Sequence, residues 1–298
     1  MRTLMYITFM TKPVYTILLF YTFSRIRNPH KFAELHRAKC QALGLTGRMI
    51  VGEEGVNATF EGTTENTDKY KRFLKRDPLF KKVVIKESAG IGSAFPRLAV
   101  KVRDEIVTLG AGKFNVKKET ATQLPAKELE KWYKENKDFV VLDLRNDYEI
   151  ASGKFERTID PGLKNFRDLP KKLKKLAKLK NKKVVTVCTG GIRCEKATCL
   201  LKREGFTDIY QLKDGIHTYM KEYPGSNFKG TLFVFDNRMT TDVVPVPKKT
   251  VIGTCSFCES KTEDYYSDDS VRPSRKILCC GICFKNSPEH LRKTLVRQ

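Results

Sequence analysis

The chain has 298 residues, with 57 Lys+Arg against 34 Asp+Glu, a formal net charge of +23, four histidines and nine cysteines. An apolar fraction of 40% supplies real cores and excludes a disordered chain, and 19 Gly with 12 Pro exclude a low-complexity or collagen-like one. The length points to two or three domains. The charge points to a polyanionic partner, nucleic acid first among them, although a lysine-rich solvated surface is the bland alternative.

The start of the chain carries no evident secretory signal, and Leu4–Phe23 is broken by Lys12 and Pro13. A membrane span needs about 20 cleaner apolar residues, so no membrane role is expected. Residues 1–13 read as an N-terminal extension, with Met10 an alternative start. Val14–Phe23 is a β-rich run. Asn28-Pro29 opens a helix with Phe32, Leu35, His36 and Leu43 on one face, and Gly44 ends it. Thr46–Val51 and Val56–Phe60 pair around the turn Gly52-Glu53-Glu54-Gly55. Thr64–Leu74 is a second helix, and Lys82–Lys86 and Leu98–Leu109 are expected strands. This β-α-β-β-α-β order predicts an α+β, ferredoxin-like (acylphosphatase-like) domain over residues 14–110. That fold hosts many functions, RNA binding included, and decides none.

Residues 111–124, rich in Lys and Thr, read as a linker. From Pro125 short apolar strands alternate with helices: Ala126–Asn136 is helical, Phe139–Asp143 a strand, Lys182–Val187 a strand, Glu195–Glu204 a helix closed by Gly205, Asp208–Leu212 a strand, and Ile216–Glu222 a helix. An open parallel α/β sheet over 125–235 follows, and such sheets place ligands beyond the carboxyl ends of their strands. Within it, Lys164–Lys183 holds ten Lys/Arg and one Asp, with Leu169, Leu173, Leu176 and Leu179 at helical spacing. This predicts an amphipathic helix whose outer lysines, Lys171, Lys172, Lys174 and Lys175, either grip RNA phosphates or simply face solvent.

One strand runs straight into Cys188-Thr189-Gly190-Gly191-Ile192-Arg193 and then into a helix. A cysteine there faces the N–H groups of its own loop and the positive helix end, which favour a thiolate. Thr189, Gly190, Gly191 and Ile192 can curl into an anion cradle, and Arg193 adds a fixed positive charge. Phosphatase loops of this kind have five residues between Cys and Arg; this one has four, which suits a sulfur-sized group better. Asp143 and Arg145, from the neighbouring strand end, are within reach of the rim, either as participants or as an ordinary salt bridge. Cys194 is a candidate to resolve an oxidised Cys188, or merely a small residue at the helix start. Cys40 and Cys199 read as core, and His217 as structural rather than as a general base.

No cysteine falls between 41 and 187, while five fall between 255 and 283, so the pattern is not a disulfide lattice but that of a reducing, cytoplasmic protein. Cys255-Ser256-Phe257-Cys258 and Cys280-Gly281-Ile282-Cys283 are two Cys-x-x-Cys knuckles with 21 residues between them. Four such thiolates predict a structural Zn²⁺ site in a short tail spanning 236–298. Cys279 is a spare neighbour that competes with Cys280 for the metal.

The stretch Cys188–Lys196 (CTGGIRCEK) resembles the active-site loop of the rhodanese-domain tRNA uridine hydroxylases. Asp143–Glu149 (DLRNDYE), Gly52–Gly62 (GEEGVNATFEG), Glu105–Gly110 (EIVTLG) and Phe233–Asp236 (FVFD) are similar too, so the likeness runs from about Tyr15 to Cys283. The resemblance implies a rhodanese-like domain over 125–235 and oxygen-dependent conversion of the wobble uridine of tRNA to 5-hydroxyuridine, with O₂ as co-substrate. It implies a catalytic Cys188, with a persulfide as in related rhodanese sites, and the tRNA anticodon loop as partner. Such loops present unstacked bases. No flavin, nucleotide or catalytic-iron motif accompanies it. The alternatives are a sulfurtransferase that passes a persulfide sulfur from Cys188 to an acceptor, and a tRNA-binding module without catalysis. Intact Cys188 and Arg193 argue against the last.

Overall fold

A computed structural model describes residues 14–246, 249–269, 271, 274–287 and 295–296. The expected extension 1–13 and its Met10 lie outside the described residues, as does part of the 236–298 tail.

The chain opens with β1 (Tyr15–Phe23), α1 (Pro29–Ala42), β2 (Thr46–Gly52), β3 (Gly55–Thr63), α2 (Thr64–Arg76), β4 (Lys86–Ala89) and β5 (Leu98–Val102). Local chemistry sets the ends. Asn28 caps α1 by accepting from the Lys31 amide at 3.0 Å, with Pro29 in the first turn. Thr63 caps α2 by accepting from the Asn66 amide, and Asp77 before Pro78 is extended and stops it. The sheet order is β4-β1-β3-β2-β5, with only β2–β5 parallel. This is the ferredoxin-like order with one added strand. Along β1 the period of two separates two faces: Leu18 and Phe20 enter the core with α1 and α2, whereas Ile17, Leu19 and Tyr21 face a cavity toward the second domain.

Two expected strands are shorter than anticipated. Lys82–Ile85 is not strand; a 3-10 turn at Pro78–Phe80 and the turn after it use that chain, and pairing with β1 starts only at Lys86. Leu98–Leu109 leaves the sheet after Val102: the Arg103 N–H still donates to the Val51 carbonyl, but further on Ile106 N–H donates to Glu54 and Leu109 N–H to Glu105.

The stretch expected as linker forms α3 (Val116–Glu119) and β6 (Thr122–Leu124), and β6 is an edge strand of the second sheet. There follow α4 (Ala126–Lys134), β7 (Val140–Asp143), α5 (Asp147–Ala151), β8 (Gly153–Phe155), β9 (Thr158–Ile159), α6 (Leu169–Leu176), β10 (Val184–Val187), α7 (Ile192–Arg203), β11 (Ile209–Leu212) and α8 (Gly215–Glu222). The sheet β6-β11-β10-β7-β9 is parallel throughout. Its central strands are buried on both faces, as parallel strands must be: Leu142 and Val184 join one core, Val141 and Val185 the other.

The basic segment 164–183 is not one continuous helix. 3-10 turns at Phe166–Asp168 and Ala177–Leu179 bracket the eight-residue α6. Leu169, Leu176 and Leu179 are buried, and Lys171, Lys174 and Lys175 point outward, with Lys172 half-buried.

The remaining elements are β12 (Phe228–Gly230), β13 (Leu232–Phe233), β14 (Thr240–Thr241), β15 (Tyr265–Asp268), β16 (Arg275–Leu278), α9 (Gly281–Asn286) and β17 (Leu295–Val296). β12 pairs with β8, so the tail grows directly out of the α/β domain. Phe233 packs on Tyr148 and Tyr265, and the Tyr265 hydroxyl donates to the Tyr148 carbonyl. Among the described residues no helix is long and apolar enough to cross a membrane.

Candidate active site and metal cluster

Cys188 follows the last residue of β10, the central strand of the parallel sheet, and is 1% exposed. Its Sγ accepts from the Gly191 amide at 3.2 Å. Gly191 reaches this pose with φ +99, a left-handed conformation that glycine tolerates. The outward side of the loop is tied down by α8: the Ile216 and His217 amides donate to the Cys188 and Thr189 carbonyls, each at 3.0 Å. That close approach requires Gly215. A Cβ there would stand 2.6 Å from the Gly191 nitrogen and 2.8 Å from the Cys188 oxygen. With its carbonyls engaged behind, the loop turns its amides toward the sulfur.

Burial pushes the Cys188 thiol up. Hydrogen bonds from the Cys194 thiol and from the Arg193 and Cys194 amides, with the Arg193 charge, reverse this and lower its pKa to about 6. Cys194, deep in the same core, moves the opposite way: burial and its hydrogen bond to Cys188 keep it protonated. Cys194 therefore acts as a thiol donor beneath Cys188 and does not line the cavity.

Arg193 is fixed by a residue that sequence reasoning passed over. Its Nη1 and Nη2 donate to Glu149 Oε1 and Oε2, both at 2.7 Å, and Glu149 is fully buried. Glu149 also accepts from the Asn146 amide, closing the N-terminal cap of α5. The one available signal was an acid in the first turn of a helix that starts at a strand end beside the cysteine loop.

Asp143 and Arg145 are not at the rim. Both are 0% exposed, Arg145 Nη2 lies 2.7 Å from Asp143 Oδ2, and its remaining donors go to the Glu149 and Gly153 carbonyls. The pair is a buried brace beneath the loop, because the guanidinium's donors are engaged by the Asp143 carboxylate and by backbone carbonyls.

The N-terminal domain roofs the site. Between the two domains lies a cavity of about 580 Å³, reached by Cys188, Thr189, Gly190, Ile192 and Arg193. Ile17, Leu19, Tyr21, Met49 and Ala58 form an apolar wall opposite. Arg48, Lys86, Lys101, Arg103 and Arg238 bring positive charge to it, and Asp236, paired to Arg238 at 2.7 Å, is its one carboxylate among the described residues. The lysines of α6 are not among its lining residues. His217 does line the cavity, and burial, with the charges of Lys86, Lys221 and Arg238, lowers its pKa to about 4, so it is neutral at pH 7.

The first turns of α7 lock the domains together. Glu195 accepts from Tyr21, Thr120, Gln123 and Gln211, and Lys196 pairs with Glu54 at 2.8 Å and Glu105 at 2.6 Å. Cys199 donates to the Glu195 carbonyl within the helix, and Cys40 lies in the N-terminal core.

In the tail, Cys255, Cys258, Cys280 and Cys283 bring their sulfurs within 4.8 Å of one another, a set that can hold a metal ion. Cys258 and Cys280 Sγ are 3.6 Å apart, close to the roughly 3.8 Å edge of a tetrahedron with metal–sulfur bonds of about 2.3 Å. Amides of Cys280 and Cys283 donate to the Cys255 and Cys280 sulfurs, as thiolate ligands require. Cys279 is fully buried in the same core beside Cys255 but is not one of the four clustered ligand sulfurs.

Comparison with known proteins gives three consecutive matches. Residues 15–106 match the UPF0176 acylphosphatase like domain, 125–222 the Rhodanese-like domain, and 229–293 the Rhodanase C-terminal family. A protein of Cytophaga hutchinsonii is 43% identical over 269 residues, 90% of this chain and 86% of its own length. One from Onion yellows phytoplasma is 39% identical over 89% of this chain and 87% of its own, and one from Bacillus cytotoxicus 39% identical over 94% and 86%. All three relatives bear the name tRNA uridine(34) hydroxylase.

Proposed function

Because the chain belongs to the family of tRNA uridine(34) hydroxylases, we infer that it is an enzyme that hydroxylates the wobble uridine of tRNA, and we propose Cys188 as its nucleophile. The product on this reading is 5-hydroxyuridine, the oxygen comes from O₂, and the bound part of the substrate is the anticodon loop. The observation that carries the reading is the meeting of a low-pKa thiol with a cation-lined cavity that two domains close over it. Its volume falls within the roughly 300–1,000 Å³ of small-ligand clefts, room for one nucleotide rather than for a phosphate or sulfane group alone.

The geometry assigns work to each part. The loop of a tRNA anticodon offers a base free of pairing, which can leave its stack for a pocket at modest cost. On this reading Arg48, Lys101 and Arg103, which line the cavity, would meet the flanking phosphates. The amides of the 189–193 loop and Arg193, held bidentate by Glu149, keep the sulfur anionic without solvent. The exposed lysines of α6 lie outside the cavity and suit the tRNA body, as a longer-range electrostatic contribution. The tail cluster suits Zn²⁺. Four thiolates fill its coordination, so the ion would brace the tail against α5 and take no part in the reaction. Nine cysteines without a disulfide accord with the cytoplasm, where tRNA is modified.

The test is mass spectrometry of tRNA nucleosides from cells lacking the protein. Loss of wobble 5-hydroxyuridine, restored by the wild-type chain and not by Cys188→Ser, is the expected result. Undiminished 5-hydroxyuridine, in cells with no parallel route to it, would overturn the reading. Thiosulfate-dependent cyanide sulfuration by the purified protein, without hydroxylation, would replace it with a sulfurtransferase.

A further inference from the structure

The chain buries two lysines beside the active-site loop, and they are satisfied very differently. Lys196 is 1% exposed and saturated: Glu54, Glu105 and the Val107 carbonyl take its three protons, at 2.8, 2.6 and 3.3 Å. Lys86 is 5% exposed, yet among the described residues its ammonium has one hydrogen-bond partner, Asp214 Oδ1, at a long 3.4 Å. The face of the Tyr21 ring, 5.5 Å away, gives it a weak second contact. An ammonium carries three donors, and leaving them unused in a buried place is costly. Lys86 lies opposite Leu19 in the β1–β4 register, hence on the sheet face that roofs the cavity, and it lines the same cavity as Cys188. Burial lowers its pKa while Asp214 and the Cys188 charge pull the other way, as expected for a cation poised near a thiolate.

Hydroxylating uracil at C5 requires electron density there. A thiolate supplies it by adding at C6: the Sγ–C6 bond forms, the C5=C6 pair shifts toward C4, and O4 becomes an enolate oxygen. That charge needs a cation. We propose that Lys86, delivered by the N-terminal domain, donates to uracil O4 and stabilises the enolate formed when Cys188 adds to C6, making it a catalytic residue of the wobble-uridine reaction. The inference rests on the assignment of Cys188 under the proposed function. The addition is redox-neutral and reversible. The enolate takes a proton at C5 from solvent; loss of the original C5 proton and expulsion of the sulfur then restore uracil. Exchange of H5 with solvent therefore needs no oxygen.

The experiment incubates the full chain, without oxygen and in D₂O, with a tRNA transcript carrying uridine at position 34, and reads deuterium at C5 by mass spectrometry. Wild type exchanges H5 at that position alone, and Cys188→Ser does not. Lys86→Met slows exchange by about 100-fold, the usual effect of removing one oxyanion donor. Its tRNA affinity and thermal midpoint stay near wild type, and Lys86→Arg recovers part of the rate. Wild-type exchange rates in folded Lys86→Met would overturn the proposal. So would a loss of exchange matched by an equal loss of Cys188 alkylation, which makes Lys86 a support of the thiolate only. Absence of exchange in a wild-type enzyme that hydroxylates in air would overturn the addition chemistry while leaving the hydroxylase reading intact. Hydroxylation surviving in Cys188→Ser would instead remove the assignment of Cys188. If Lys86→Met misfolds, Lys86→Arg and Lys86→Gln carry the same comparison.

Discussion

The molecule handles thiolate charge in two places and by opposite means. At Cys188 one sulfur is buried, and the protein itself supplies the compensation: backbone amides, the Cys194 thiol and an arginine held by Glu149. In the tail, four sulfurs crowd within 4.8 Å, and Cys255 is drawn down to about 6 by amide donors although burial opposes it. Among the described residues, the groups that most shift these thiols are backbone amides, the Ser260 hydroxyl and the neighbouring thiols themselves. One sulfur has its charge compensated by the protein itself, as the proposed nucleophile needs. The four tail sulfurs form a set that could hold a metal ion, which would supply the missing counter-charge.

Removing the metal ion proposed for the tail should produce the largest effect. Structural zinc sites in small domains carry apparent binding energies of about 10–16 kcal/mol. Strong chelation, or Cys255→Ser with Cys283→Ser, should therefore unfold the tail, seen as new proteolytic cleavage within 253–287 and loss of bound zinc. A full equivalent of zinc in the double variant would break the comparison. Glu149→Gln comes next. It leaves Arg193 charged, buried and half-paired, which typically costs about 3–5 kcal/mol; the denaturant midpoint should fall with an unchanged slope. A shift within error would mean that Arg193 finds another partner. The smallest effect is on reactivity. Alkylation of Cys188 should rise through a midpoint near pH 6, since the thiolate is the reacting form and its pKa lies below the ordinary 9.0. Arg193→Met should move that midpoint upward, reducing the rate at pH 7 by about tenfold for a pKa near 8. A wild-type midpoint near 9 would show that the loop does not hold a thiolate.

Much of this was legible in the residues. Strand-loop-helix chemistry around Cys188-Thr189-Gly190-Gly191-Ile192-Arg193 and the two Cys-x-x-Cys knuckles are local patterns, and local patterns survive in a linear reading. Asp143 and Arg145 were misplaced because a strand-end acid can face the ligand or the layer below, and only the packing of α5 and β8 selects the latter. Lys86 was read as the end of a strand rather than its beginning, so its partner Leu19 and its face were hidden. Glu149 was in plain view within a motif, yet nothing in spacing says that it meets a side chain 44 positions away.

Sequence alone brought out the two sheet types, the Cys188 loop and the four cysteines that cluster in the tail, because hydrophobic period, glycine placement and cysteine spacing act over a few residues. Tertiary structure decided that the site is shared. Glu195 and Lys196, in the first turns of α7, hold the N-terminal sheet over the Cys188 loop. That docking turns a surface loop into a cation-lined cavity and brings Lys86 to it from about a hundred residues upstream. The physical reason is that counter-charge and solvent exclusion depend on distance in space, which chain order does not encode.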